Sequence, residues 1–176
     1  MNNREVEGEW VVVRSFSIFC SIYLAVAVQS SVIVSEWPAG CRPFLPALVL
    51  VAIAFWSNGA AAVAWSASVG LLLDGLSFER LGVQLAWATL LGCGLQVVIA
   101  SVRSSGPITW VGMVFAVAMV WRVVLPLGLG FLDGRSVDAA GVLAIAIVEA
   151  AATAGLAAAI VCGDRWVLGG SRRVIA

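Results

Sequence analysis

Apolar residues run through this chain in long stretches, separated by short polar breaks. Six stretches approach the roughly 20 residues that a spanning helix needs. They cover about 16–34, 44–56, 60–76, 81–102, 108–132 and 137–162. The breaks carry turn chemistry: Ser57-Asn58-Gly59, Ser104-Ser105-Gly106-Pro107 and Asp133-Gly134. The runs are continuous and lack period-2 alternation, which predicts helices and not a barrel. The expected fold is an all-α integral membrane protein, a single polytopic bundle of about six transmembrane helices.

The second stretch is short for a bilayer. No charge occurs from Phe44 to Leu73, so one long helix competes with a hairpin of two. Thirty residues would make about 45 Å of helix, against a hydrocarbon core of about 30 Å. Asn58-Gly59 near the middle favours the hairpin. Arginine placement agrees. Six spans with an inner N-terminus put Arg4, Arg14, Arg103, Arg165, Arg172 and Arg173 inside and Arg42, Arg80 and Arg135 outside. Five spans abolish that bias, so six spans with both termini cytoplasmic are expected. Arg14, the apolar run after it and Ala25-Val26-Ala27 imitate a signal peptide. The long leading segment with Glu5, Glu7 and Glu9 argues against cleavage.

Composition excludes most chemistry. Of 176 residues, 62% are hydrophobic and 11% charged, and mean hydropathy is +1.05. Soluble domains carry about 45–50% apolar residues and about 25% charged ones. Nucleic-acid binding and secreted disulfide scaffolds fall away. The chain has no His, and its ten basic residues are all Arg. It therefore has no Ser-His-Asp triad, no His-ligated zinc, no lysine Schiff base and no P-loop. No catalytic, cofactor or metal residues are expected. Cys20, Cys41, Cys93 and Cys162 form no C-x-x-C pair; Cys20, Cys93 and Cys162 read as small apolar fillers, and Cys41, outside and without a mate, as a free thiol ahead of a cross-link to another chain.

The charges at membrane depth are few. Arg122 falls inside the fifth span, Glu149 near the middle of the sixth, and Asp74 near the outer end of the third. Each costs at least about 2.5–3.5 kcal/mol in lipid and needs a partner. Arg122 can reach Glu149 in one direction or Asp74 in the other. An ion pair that fixes helix register is preferred over a relay, which would need more titratable neighbours. Pro126 cannot donate to the Arg122 carbonyl, so a kink is expected there.

Small residues define faces. Ala62, Ser66, Gly70 and Asp74 recur every four residues and share one side of the third helix. That side is a packing seam ending in a carboxylate, open to a neighbouring helix or a partner. The sixth helix has two such lines, Ala150-Ala154-Ala158 and Ala151-Gly155-Ala159. Gln29, Gln84 and Gln96 are expected to bond across helices.

One segment carries a family resemblance. Gln29 closes the first span, and Arg42-Pro43 and Pro46-Ala47-Leu48-Val49-Leu50 lead to Phe55-Trp56. Then come Gly70-Leu71-Leu72-Leu73-Asp74-Gly75-Leu76-Ser77 and Leu81-Gly82-Val83-Gln84. This order resembles the rod-shape-determining membrane protein MreD family. The chain departs from it at Phe78-Glu79-Arg80, and Arg172 and Arg173 stand where lysines are usual in the family's tails.

The resemblance implies a six-span protein of the bacterial inner membrane, similar in architecture to the substrate-binding subunits of energy-coupling-factor transporters. It implies a non-enzymatic scaffold of the rod complex that binds MreC. MreB, the RodA-type glycosyltransferase and a penicillin-binding transpeptidase are engaged indirectly, and membrane lipid surrounds the bundle. Asp74, Gly70, Ser66, Ala62, Gly82 and Pro46 are the partner-binding or structural candidates. Arg122 and Glu149 are the ion-pair candidates. A second copy of the chain is a further candidate partner. The rival reading is a substrate-binding subunit of a vitamin-type transporter, with Asp74, Arg122, Trp65 and Trp87 as lining.

Overall fold

The computed structural model describes residues 18–29, 42–57, 59–76, 82–102, 106–134 and 136–171, with side chains as far as Gly163. These residues form six helices and no strand. They are α1 (Ile18–Gln29), α2 (Leu45–Trp56), α3 (Gly59–Leu76), α4 (Val83–Ser101), α5 (Pro107–Leu132) and α6 (Ala139–Ser171). Four of them are long and apolar enough to cross a membrane: α3, α4, α5 and the stretch Ala139–Gly163 of α6. The chain is an integral membrane protein on that count. The first expected span, 16–34, lies partly outside the described residues, as do Cys41, Ser77, Leu81 and Arg135.

Local chemistry sets the helix ends. Pro46 occupies the first turn of α2 and Pro107 opens α5, where a missing N–H costs nothing. Ser57 ends α2 in extended backbone, its N–H on the Ile53 carbonyl at 2.8 Å. Gly59 then takes φ +55°, a left-handed conformation that lets the chain reverse into α3. Asp138 caps α6, its carboxylate accepting the Ala140 N–H at 3.2 Å. Helix α5 continues through Pro126 to Leu132.

Two antiparallel hairpins make the bundle. α3 packs closely along α4, and α5 along α6, while α4 and α5 meet only sparingly. The short helix α2 joins the halves by touching α3, α4, α5 and α6. One side of it is buried through Ala47, Leu50, Val51, Ile53 and Ala54, while Leu48, Val49 and Phe55 are half-buried. At 12 residues it is about 18 Å long, well below the thickness of the hydrocarbon core. α1 adds Ile18, Ile22 and Val26, four residues apart on one buried face. Lipid tails are as apolar as these side chains, so close packing and cross-helix hydrogen bonds hold the helices together.

Two glutamines supply three of those bonds. Gln96 of α4 donates to the Ala54 carbonyl at 3.0 Å and accepts the Gly59 N–H at 3.3 Å. One side chain thus fastens the end of α2 and the start of α3. Gln29 of α1 accepts the Leu45 N–H at 3.0 Å. Gln84 departs from the expectation: its side-chain oxygen is buried without a partner among the described residues. The lines on α6 also differ. Ala146, Glu149, Ala150, Thr153 and Ala157 form the buried line, while Ala151, Gly155 and Ala159 face outward. Cys20, Cys93 and Cys162 are free thiols on the outside.

Candidate functional site

The seam of α3 faces inward. Ala62, Ser66, Gly70 and Asp74 are all buried, and the last three meet α4. A Cβ on Gly70 would lie 2.5 Å from the Gln84 carbonyl oxygen and 2.6 Å from the Leu85 Cα. The two backbones therefore touch at Gly70, and no larger residue fits without separating them. Two turns of α4 further along, a Cβ on Gly92 would meet the Ser66 Oγ at 2.5 Å. Ser66 satisfies its own hydroxyl by donating to the Ala62 carbonyl at 2.8 Å.

The seam ends in a carboxylate that serves the next helix. Asp74 is 3% exposed. Its Oδ2 accepts the N–H groups of Gly82 and Leu85, and its Oδ1 accepts that of Gln84, each at 3.0 Å. The first N–H groups of a helix have no internal partner, and its N-terminus carries partial positive charge. Asp74 answers both needs of α4 from across the hairpin. Gly82 makes the approach with φ +91°, which a side chain would strain. The sequence held a clue to this role. An acid in the last turn of α3 opposes its own helix dipole, so it belongs to a neighbouring helix start.

Arg122 pairs with Glu149 and not with Asp74. Nε lies 2.6 Å from Oε2. Neither atom has an aligned hydrogen bond among the described residues, so the contact is chiefly Coulombic. Topology explains the match: Arg122 is ten residues before the end of α5, and Glu149 ten after the start of α6. In an antiparallel hairpin those positions share a level.

Around the pair lies the entrance to α2. The Arg122 guanidinium is 4.9 Å from the centre of the Phe44 ring, a cation–π distance. Phe44 in turn packs at 5.2 Å against Trp121, tilted by 49°. The Phe44 N–H donates to Thr153 Oγ1 at 2.8 Å, and the Thr153 hydroxyl donates to the Glu149 carbonyl at 2.7 Å. α1 and α6 thus hold the first amides of α2 between them. Pro46, buried next to Leu45, completes this junction inside the bundle.

Two grooves open outward. One of about 440 Å³ lies between α1 and α3, with Tyr23, Leu71 and Gly75 in its wall. The other, of about 510 Å³, lies between α4 and α5 and is lined by Val83, Ala86, Trp87, Leu90 and Leu125. The buried Trp87 indole N–H has no acceptor among the described residues. Trp87 thus borders a groove, whereas Asp74 and Arg122 are engaged elsewhere. No cluster of metal-ligating side chains occurs among the described residues.

Comparison with protein-family models, with curated proteins and with solved structures yields no match to this chain.

Proposed function

We propose that this protein is an MreD-type membrane scaffold of the cell-elongation complex. In this reading it is a non-enzymatic protein of the bacterial inner membrane, with six crossings and both termini cytoplasmic. It binds an MreC-like single-span protein and so helps to organise lateral peptidoglycan synthesis and maintain cell shape.

The observation that carries the reading is the use made of the block from Gly70 to Gly82. The residues behind the resemblance act as one device: Gly70 brings two backbones together, Asp74 gathers three amides, and Gly82 turns left-handed to present one of them. Such a device fixes the geometry of a hairpin. A rigid bundle with an apolar exterior is suited to holding other membrane proteins in place.

Depletion of the protein in its source cell tests the proposal. Loss of cylindrical shape and dispersal of new wall material are expected. Unchanged shape, together with a new requirement for a small external nutrient, would overturn it in favour of a transporter subunit.

A further inference from the structure

We propose that the two hairpins are arms that pivot about α2, and that Trp87 latches the groove between them in a narrow state. Independently of the scaffold reading, the rigidity of the bundle then resides within each hairpin and the movement between them. Gly70 and Asp74 lock α3 to α4, and the Arg122–Glu149 pair locks α5 to α6. Among the described residues, α4 against α5 is the one direct contact between these arms, and it is sparse. α4 ends at Ser101 and α5 begins at Pro107, so a short connection holds the arms together at that end. The groove of about 510 Å³ lies towards the other end, with Val83 and Leu90 of α4 and Leu125 of α5 in its wall.

α2 is built as the strut. Its entrance is fastened to one arm: the Phe44 N–H donates to Thr153 of α6, and the Phe44 ring packs on Trp121 and Arg122 of α5. Its exit is fastened to the other: Gln96 of α4 donates to the Ala54 carbonyl and accepts from Gly59 of α3. A helix of 12 residues pinned at opposite ends to two bodies links them without cementing them. Lipid tails are as apolar as the facing side chains, so no hydrophobic force presses α4 onto α5.

Two polar groups at the groove fit a latch. The Trp87 indole N–H is buried with no acceptor among the described residues, which costs free energy in this state. On the other arm, Pro126 has no N–H to give the Arg122 carbonyl, four residues back in α5. That carbonyl lies on the turn that carries Leu125 into the groove. A donor without an acceptor on one arm thus meets an acceptor without its helix donor on the other once the groove narrows.

Double electron–electron resonance on the full chain in bilayer nanodiscs tests the pivot. Cys93 of α4 and Val124→Cys, at an exposed position of α5, carry the spin labels, with Cys20, Cys41 and Cys162 changed to alanine. This cross-arm pair is expected to show two distances. Pairs inside an arm, Cys93 with Ala64→Cys and Val124→Cys with Ile147→Cys, should show one distance each. Trp87→Phe removes the indole N–H, and Pro126→Ala gives the Arg122 carbonyl its helix donor. Each should shift the cross-arm populations towards the longer distance by about three- to tenfold, the worth of one hydrogen bond. The pairs inside an arm should not change. Should Trp87→Phe fail to fold, Pro126→Ala still reads the latch. A single cross-arm distance, as narrow as those inside an arm, would overturn the proposal. So would two distances whose ratio a folded variant of either kind leaves unchanged.

Discussion

Replacing Asp74 by alanine removes the acceptor of three backbone amides at once. Gly82 is exposed, so its N–H can turn to water or headgroups. Gln84 and Leu85 are half-buried under α3, and their amides would be left bare. An unmet buried donor costs about 1–3 kcal/mol. Half-buried, each of the two falls at the low end of that range, and with the lost charge at the start of α4 they come to about 2–4 kcal/mol. For a chain of this length that lowers the melting temperature by roughly 4–16 °C. Asp74→Asn should cost less, because one oxygen can still serve the Gly82 and Leu85 amides. Its amide group then faces the Gln84 N–H, donor against donor. Thermal unfolding of the purified protein, paired with hydrogen exchange at Gln84 and Leu85, reads both effects. Asp74→Ala should melt lowest, Asp74→Asn between it and the wild type, and exchange should rise at those two amides. A melting temperature within a degree of wild type, with exchange unchanged, would refute the capping role.

Three further outcomes are expected. Gly92→Ala drives a methyl into Ser66 and should destabilise by about 1–3 kcal/mol, while adding Ser66→Gly should recover most of the loss; thermal melts of the double-mutant cycle measure the coupling. Glu149→Leu alone strands the Arg122 charge and should cost about 3–5 kcal/mol, whereas Glu149→Leu with Arg122→Met should be markedly milder; the same melts decide. Gln96→Leu releases the Ala54 carbonyl and the Gly59 N–H, so proteolysis at the 57–59 turn should accelerate several-fold, in line with about 1–2 kcal/mol of lost local stability.

The sequence shows the α3 face directly because its period matches the helix: Ala62, Ser66, Gly70 and Asp74 can only lie together. Their destination is less visible. Nothing in the spacing says that α4 is the neighbour, and Asp74 had Arg122 as a rival partner until the α5–α6 register placed Glu149 there. In lipid the outside of a bundle is as apolar as its inside. Hydropathy therefore cannot tell Ala150, which is buried, from Ala151, which is not. The same blindness hides α2, whose uniform apolarity reads equally as a short span or half of a longer helix. Its central position emerges only from its contacts with four other helices. Polar exceptions are the better guide. Gln29 and Gln96 mark points where helices meet because their side chains need partners that lipid lacks.

The scaffold reading is tested most directly by gentle co-purification of a tagged copy from native membranes, with partners identified by mass spectrometry. The account predicts recovery of an MreC-like protein together with wall-synthesis enzymes. Recovery of an ATPase pair with a coupling subunit would contradict it.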